Sequence, residues 1–245
     1  MKIDINCDLG EGYGPYDKQI MPHISSANIA CGFHAGDPDI MDDTVKLALQ
    51  HNVKIGAHPG FPDKEGFGRR LLKWTADQVY RSLLYQIGAL QAIAKANGTS
   101  LHHVKPHGAL YHYGCQHKEI AQAMVEAIKR VDPSLVLYGP ANSELIKAGV
   151  KGNLTVYREV FADRTYLENG NLTPRTEEHA VHTKTKHAIE QSIQMIQHQK
   201  VTTKTGKVIP IQADTVCVHG DTPNAVEFVK ALSITLQQRG IQLGS

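Results

Sequence analysis

The feature of this chain that most limits its fold is a repeated alternation of short apolar runs with longer helical patterns. Each apolar run has the length of a buried strand and ends at a polar motif. Strand-like runs that alternate with helical patterns indicate repeated βα units and a parallel sheet. The six runs cover residues 3–5, 27–30, 53–55, 101–104, 154–157 and 216–218.

The polar motifs after these runs carry carboxylates, imidazoles and a lysine. Groups at the same end of successive parallel strands converge on one pocket, which is where α/β proteins bind their ligands. The pattern therefore points to an enzyme. The motifs are Asn6-Cys7-Asp8-Leu9-Gly10-Glu11, Gly32-Phe33-His34-Ala35-Gly36-Asp37, Gly56-Ala57-His58-Pro59-Gly60, Lys105-Pro106-His107-Gly108, Arg158-Glu159 and His219-Gly220-Asp221.

The helical patterns predict an α/β fold with about seven strand–helix units. The clearest helix covers 76–96, with Thr75 and Gln78 as a capping box and Asn97-Gly98 as its stop. Residues 201–209 alternate around Thr-Gly and predict a β-hairpin, inserted near 201–211 before the last barrel strand. We expect one domain over 1–245, built as a distorted or incomplete barrel. Further helices are predicted over 40–51, 118–131, 143–148, 185–199 and 225–239, and a further strand over 135–138.

Length and charge agree with such a barrel and exclude other classes. The 245 residues match a β/α barrel of roughly 250 residues. The net charge of +2 is spread without a basic face, so a nucleic-acid partner is not expected. The chain enters a strand at once, with no secretory signal pattern, and has no apolar run near the ~18 residues of a membrane span. A cytoplasmic protein is expected.

The cysteines also fit this compartment. Cys7, Cys31, Cys115 and Cys217 are far apart and form no C-x-x-C pair. Free thiols at strand positions usually pack as small hydrophobes. The alternative is a nucleophile at Cys7 or Cys31, and core packing is favoured.

Carboxylates and histidines are the first candidate site residues. Asp8 and Glu11 follow the first run, and His34, His58 and His107 each stand at a strand end. Asp8, His34 and His58 have the chemistry to bind a divalent metal that activates water. Direct acid–base catalysis by the same groups is the alternative. Structural roles also compete: Asp8 could cap a turn and Glu11 could be solvated.

Cationic side chains are the second set of candidates. Lys105 precedes Pro106, which holds it extended at the strand end, where it could neutralise an oxyanion or phosphoryl oxygen. Arginine forks suit carboxylates and phosphates. At least one of four arginines is expected to bind an anionic substrate, and the sequence does not choose among Arg69, Arg70, Arg164 and Arg175.

Missing motifs narrow the reaction class. The sequence has no G-x-x-x-x-G-K-[ST] loop, no G-x-G-x-x-G after a strand and no G-x-S-x-G elbow. A stand-alone P-loop ATPase, a nicotinamide enzyme and a serine hydrolase are therefore disfavoured. What remains is water attack on a carbonyl-type centre.

Longer blocks around these motifs resemble the LamB/YcsF family. One small departure is Asn169-Gly170, where the family usually has Asp-Gly; asparagine can occupy the same turn. The resemblance spans nearly the whole chain and is carried by Asp4-Ile5-Asn6-Cys7-Asp8-Leu9-Gly10-Glu11, Ser26-Ala27-Asn28-Ile29-Ala30-Cys31-Gly32-Phe33-His34-Ala35-Gly36-Asp37, Gly56-Ala57-His58-Pro59-Gly60-Phe61-Pro62-Asp63, Gly66-Phe67-Gly68-Arg69-Arg70, Lys105-Pro106-His107-Gly108-Ala109-Leu110-Tyr111, Glu159-Val160-Phe161-Ala162-Asp163-Arg164 and Val218-His219-Gly220-Asp221.

The resemblance implies a fold, an activity and partners. The implied fold is a distorted seven-stranded barrel similar to polysaccharide deacetylases, which hold a metal with Asp and His. The implied activity opens 5-oxo-L-proline to L-glutamate while ATP is hydrolysed to ADP and phosphate. It requires two further subunits, B and C. Phosphorylation of the lactam oxygen would activate the ring carbon toward water.

With this chemistry in view, roles can be given to the candidates. We expect Asp8, His34 and His58 to position or deprotonate water, directly or through a metal. We expect Lys105, His107 and Glu159 to stabilise the phosphorylated lactam and to protonate its nitrogen. Two other classes stay open: a stand-alone metal-dependent deacetylase or amidohydrolase, and a non-catalytic regulatory subunit. The residues predicted to bind substrate are Glu11, Arg69, Arg70, Arg164, Arg175, His219 and Asp221, with Arg69 or Arg70 preferred for the substrate carboxylate.

Overall fold

Seven parallel strands close into a barrel in the computed structural model, which describes residues 1–12, 16–218 and 225–244. The barrel order is β1, β2, β3, β4, β5, β6 and β9, and β9 pairs back with β1. The predicted seven-stranded α/β barrel is thereby confirmed. The barrel strands are β1 (Lys2–Leu9), β2 (Ser26–Ala30), β3 (Lys54–His58), β4 (His103–Val104), β5 (Val136–Pro140), β6 (Val156–Phe161) and β9 (Thr215–Val218).

Three further strands within the described residues lie outside the barrel. β7 (Lys200–Thr202) and β8 (Val208–Pro210) form an antiparallel hairpin, at the place where the Thr-Gly alternation predicted one. β10 (Gln242–Leu243) adds in parallel to the first residues of β1. Nothing in the sequence pattern predicted β10, because a strand of two residues has no periodicity to detect.

Helices surround the barrel between successive strands. The bounds predicted for α3 and α5 are confirmed, and those of α2, α6, α7 and α8 are close to the prediction. Helices α1 and α4 were not predicted. The described helices are α1 (Tyr16–Ile20), α2 (Pro38–Gln50), α3 (Ala76–Ala96), α4 (Gly108–Gln116), α5 (Lys118–Val131), α6 (Glu144–Lys151), α7 (Thr185–His198) and α8 (Ala225–Gln238), with a 3-10 turn at Met21–His23. No helix in the described ranges is both long and apolar enough to cross a membrane.

Polar residues on β1 face the inside of the barrel. Two carboxylates that were predicted to follow their strands lie within them instead. Asp4, Asn6 and Asp8 alternate with apolar neighbours that pack outward into the core, as the period of a strand requires. Asp8 therefore lies within β1 and does not follow it, contrary to the prediction. Glu159 likewise lies inside β6, which continues to Phe161. Both carboxylates point into the barrel rather than into an exposed loop.

Candidate active site

A pocket of about 550 Å³ opens at the C-terminal end of the barrel strands. This is the end at which parallel β/α barrels place their ligands. The pocket has two chemically different regions: a cluster of histidines with a glutamate, and a lysine held between carboxylates. The predicted site residues that line it are Asp8, Glu11, His58, Arg69, Lys105, His107, Arg164 and Arg175.

Two histidines are fixed by backbone carbonyls in a defined tautomer. His58, the last residue of β3, donates from Nδ1 to the Lys105 carbonyl at 2.7 Å. His107, between β4 and α4, donates from Nε2 to the Phe67 carbonyl at 2.8 Å. A carbonyl only accepts hydrogen bonds, so these nitrogens carry the protons. The opposite nitrogens, His58 Nε2 and His107 Nδ1, therefore present lone pairs.

These two lone-pair nitrogens face one another at 2.9 Å. Glu11 Oε1 lies 3.6 Å from His107 Nδ1 and 4.0 Å from His58 Nε2. It also lies 3.3 Å from His34 Nε2. Facing lone pairs repel, and a carboxylate beside them adds negative charge. The arrangement is stabilised when a cation or a proton lies among these atoms.

Protonation of the histidines themselves is opposed by their surroundings. Burial, followed by the charge of His58, lowers the pKa of His107 to about 3. Burial also lowers the pKa of His34 well below its ordinary value, and the charges of His107 and His58 lower it further. The four ligand-type atoms of Glu11, His34, His58 and His107 lie within 4.8 Å of one another. We call these four residues the His–Glu cluster.

The donor set of the His–Glu cluster fits a divalent transition metal. Neutral imidazole nitrogens and a carboxylate oxygen are ligands of zinc and of similar ions, and the outer nitrogens of His58 and His107 hydrogen-bond to carbonyls as metal-ligating histidines usually do. The metal set predicted from the sequence was Asp8, His34 and His58. In the structure Glu11 and His107 complete the group with His34 and His58, while Asp8 Oδ2 lies beside it, 3.4 Å from His58 Nε2.

The backbone at Gly68 passes close to two stacked histidines, which a glycine without a side chain permits. The rings of His34 and His107 lie parallel, with centroids 3.7 Å apart. Gly68 has φ +63, and a Cβ there would lie 2.7 Å from His34 Cβ and 2.9 Å from His107 Cδ2. Only glycine combines this backbone conformation with the absent side chain. The loop that carries Arg69 can therefore cross directly over the cluster.

Lys105 is the centre of the second region. Its Nζ lies 3.0 Å from Asp8 Oδ1 and 2.8 Å from Glu159 Oε1. It also lies 3.1 Å from Asn6 Oδ1 and from Cys217 Sγ. Burial opposes the charged form, but nearby negative charge, above all that of Asp8, raises the pKa of Lys105 well above its usual range. Lys105 is therefore an ammonium at neutral pH.

The thiols near the site are not activated. Burial raises the pKa of Cys7 and of Cys217 well above the ordinary value, and that of Cys31 to about 12. A thiolate is the nucleophilic form of cysteine. All four cysteines are free and none is exposed, in agreement with core packing rather than a nucleophile role.

Sequence reasoning missed two residues that support Lys105 and its carboxylate partners. Tyr111 on α4 donates its hydroxyl to Glu159 Oε2 at 2.6 Å. Asn28 donates from Nδ2 to both Asp8 Oδ1 and Asn6 Oδ1 at 2.8 Å. Tyr111 lies four residues after His107, so recognition of a helix from 108 would have placed both at one end of the pocket.

The arginines predicted to bind substrate separate in the structure. Arg69 lines the pocket above the Phe67 ring, 5.0 Å from its centroid. Arg70 instead forms an ion pair with Asp63 and does not line the pocket. Arg164 is buried in the pocket wall, and Arg175 lines the rim. His219 and Asp221, also predicted to bind substrate, lie outside the described residues.

The fold and the site together define a parallel β/α-barrel protein with a histidine–carboxylate centre suited to hydrolysis. The sequence model of the LamB/YcsF family matches residues 3–245, and the chain belongs to this family.

Similar proteins include a named relative and two solved structures. The chain is 52% identical over 246 residues to the A subunit of 5-oxoprolinase from Bacillus cereus (strain AH187), with 98% of this chain and 97% of the relative covered. The structure of a lactam utilization protein from Thermus thermophilus is 43% identical, with a TM-score of 0.94 and coverage of 100% and 99%. A family 4 carbohydrate esterase from Streptomyces lividans, at 11% identity, a TM-score of 0.52 and coverage of 100% and 92%, shares the fold.

Proposed function

We propose that this chain is the A subunit of an ATP-dependent 5-oxoprolinase, which opens 5-oxo-L-proline to L-glutamate together with subunits B and C. The observation that carries the proposal is the placement of Lys105, charged and held between Asp8 and Glu159, directly beside the His–Glu cluster. The pair of sites matches a reaction that needs both an activated water and a proton for a leaving nitrogen. The names of the relatives supply the lactam as substrate.

The lactam needs activation before water can attack it. Amide resonance makes its carbonyl a poor electrophile, and transfer of a phosphoryl group from ATP to the lactam oxygen removes that resonance. Water then adds to the ring carbon, and the ring nitrogen takes up a proton and leaves. The resulting acyl phosphate is hydrolysed to glutamate and phosphate. The sequence has no P-loop motif, which is consistent with partner subunits that contribute to the ATP chemistry.

Three residues of this chain carry the steps at the ring. Asp8 uses Oδ1 for Lys105 and Asn28, so we assign to its Oδ2, which faces His58, the proton of the attacking water. We assign protonation of the ring nitrogen to the Lys105 ammonium. The role predicted for His107 as a proton donor is not retained, because its N–H is committed to Phe67. Arg69, beside the cluster, would bind the substrate carboxylate.

A divalent metal is part of the proposal. Glu11, His34, His58 and His107 would hold it. When bound, it would lower the pKa of a water molecule and polarise the attacked carbon–oxygen bond.

The test is ATP-dependent glutamate release from 5-oxo-L-proline, measured with this chain alone and with subunits B and C added. We expect activity only in the full complex, and we expect His58→Ala to abolish it. His198→Ala, at an exposed position near the end of α7, is the matched control and keeps full activity. Normal glutamate release by the His58→Ala complex would refute the assignment.

A cytoplasmic location remains a prediction from the sequence.

One other activity has a specific observation in its favour. The donor set of the His–Glu cluster would also suit a metal-dependent deacetylase or amidohydrolase that acts without partners. Turnover of an acetylated substrate by the isolated chain, abolished by a chelator, would support this second candidate. Inactivity toward such substrates leaves the lactam as the substrate.

A further inference from the structure

The pocket has a second cationic region, on the side formed by the loop after β6 and by α4. Arg164 lies in that loop, Arg175 lies further along it, and His112 lies on α4. All three line the pocket. We call them the Arg164 group. Arg69 stands at the other side of the pocket, where its charge acts on His34 and His107.

Arg164 is built into the wall of the pocket. Only 5% of the surface of Arg164 is exposed. Its NH2 group donates to the Thr173 carbonyl at 2.6 Å, and its Nε donates to the Ala180 carbonyl at 3.3 Å. These contacts within the described residues use two of the five N–H donors of a guanidinium. Donors therefore remain for a ligand.

One side chain on α7 holds the loop that carries Arg164 in place. Gln191 on α7 donates from Nε2 to the carbonyls of Phe161, Ala162 and Arg164 at 2.8–3.2 Å. Isolated β-bridges also join Arg164 to Val181 and Tyr166 to Leu172. The guanidinium is thus pre-positioned, which reduces the entropy lost when it binds a ligand.

The two arginines of the Arg164 group carry positive charges close to each other. Burial lowers the pKa of Arg164 and the charge of Arg175 lowers it further, while the charge of Asp163 offsets part of this shift. Burial also lowers the pKa of His112, and both arginines add to that shift. A buried cation with a second cation beside it is costly unless an anion compensates it. The region is therefore suited to an anionic ligand.

We propose that the Arg164 group is a subsite for a phosphoryl group, opposite the carboxylate site at Arg69. That this phosphoryl group is the one that activates the lactam rests on the proposed function. A pocket of about 550 Å³ is larger than a small lactam requires and falls in the range that holds a drug-sized ligand. This volume leaves room for a ring that carries both a carboxylate and a phosphoryl group. Arginine forks are well matched to phosphoryl oxygens.

The experiment measures binding of inorganic phosphate to the isolated chain by titration calorimetry. We expect wild type to bind phosphate, and Arg164→Gln and Arg175→Gln each to weaken binding by about tenfold or more, which is the effect of losing a charge-assisted hydrogen bond. The matched control is Arg130→Gln, which removes an exposed arginine paired with Glu126 on α5. We expect it to bind like wild type.

The outcomes decide the proposal in either direction. Absence of phosphate binding by wild type, or equal affinity in all four proteins, would overturn it. If Arg164→Gln loses its cooperative thermal unfolding transition, the comparison of Arg175→Gln with Arg130→Gln decides, because Arg175 is exposed and its replacement removes no buried side chain.

Two further binding measurements identify the source of the phosphoryl group. Glutamate release by the complex then tests the proposed function separately from the subsite. Simultaneous binding of 5-oxo-L-proline and phosphate supports a subsite for a phosphorylated lactam. ADP that binds more tightly than phosphate and loses affinity in Arg164→Gln supports the same subsite for a nucleotide phosphate. If the wild-type complex releases no ATP-dependent glutamate while phosphate binding still depends on Arg164, the proposed function fails and the subsite stands.

Discussion

At the scale of single residues, Lys105 decides the charge balance of the site. Its ammonium is the cation that lies between the carboxylates of Asp8 and Glu159, and Glu159 is almost completely buried. Without this cation, the buried carboxylate of Glu159 and the half-buried carboxylate of Asp8 would repel each other after losing much of their hydration. Lys105 therefore stabilises the fold at the same time as it serves the proposed chemistry.

We predict that Lys105→Met lowers the free energy of unfolding by about 3–5 kcal/mol, the usual cost of removing one partner from a buried ion pair. Glu159→Gln in the same chain should recover part of this loss, because the carboxylate that lost its cation is then neutral. Urea unfolding of both single variants and of the double variant gives the coupling free energy. Simple additivity of the two single effects would contradict the pairing seen at 2.8 Å.

At the scale of elements, the bounds of helices were predicted most accurately where capping residues mark the ends of the helix. Helix α3 begins at a capping box of Thr75 and Gln78, and both of its reciprocal hydrogen bonds are present. The predicted bounds of α3 were confirmed for that reason. Helix α4 has no side-chain cap at His107 and only nine residues, so its pattern was too short and too weakly punctuated to recognise.

The site was only partly predictable for a different reason. The His–Glu cluster joins the last residue of β3 to the loops after β1, β2 and β4, and no spacing in the sequence states which nitrogens meet. The choice between Arg69 and Arg70 depends on Asp63, whose carboxylate holds Arg70 away from the pocket. Strand ends at Asp8 and Glu159 were misplaced because the barrel interior accepts polar residues when they pair with one another.

The capping box gives a prediction for α3. Thr75→Ala should lower the free energy of unfolding by about 1 kcal/mol, because it leaves the Gln78 N–H without its acceptor. Thr176→Ala, at an exposed loop position, is the control and should unfold like wild type. Urea midpoints at constant m-value measure the difference. Equal midpoints for the two variants would show that the capping box does not stabilise the protein.

At the scale of the whole molecule, the two ends of the barrel have different tasks. At the N-terminal end, Asp4 accepts hydrogen bonds from hydroxyl groups on or beside three other barrel strands and so ties β1 to β2, β5 and β9. The donors are Ser25 Oγ at 2.6 Å, Ser26 Oγ at 2.7 Å, Tyr138 OH at 3.0 Å and Thr215 Oγ1. At the C-terminal end, Glu11 lies among histidines whose lone pairs remain available. Parallel β/α barrels commonly divide stability and catalysis between their two ends in this way.

This division predicts opposite effects of two carboxylate substitutions. Asp4→Ala should lower the free energy of unfolding by about 3 kcal/mol or more, because buried hydroxyl groups lose a charged acceptor, while activity per folded molecule in the full complex stays unchanged. Glu11→Gln should change stability by less than about 1 kcal/mol and lower both metal affinity and glutamate release by about tenfold to a hundredfold. Urea unfolding, metal titration and the coupled assay compare the pair. A loss of activity in Asp4→Ala at temperatures where it is fully folded would show that the polar interior transmits its structure to the pocket, and that the two ends do not act independently.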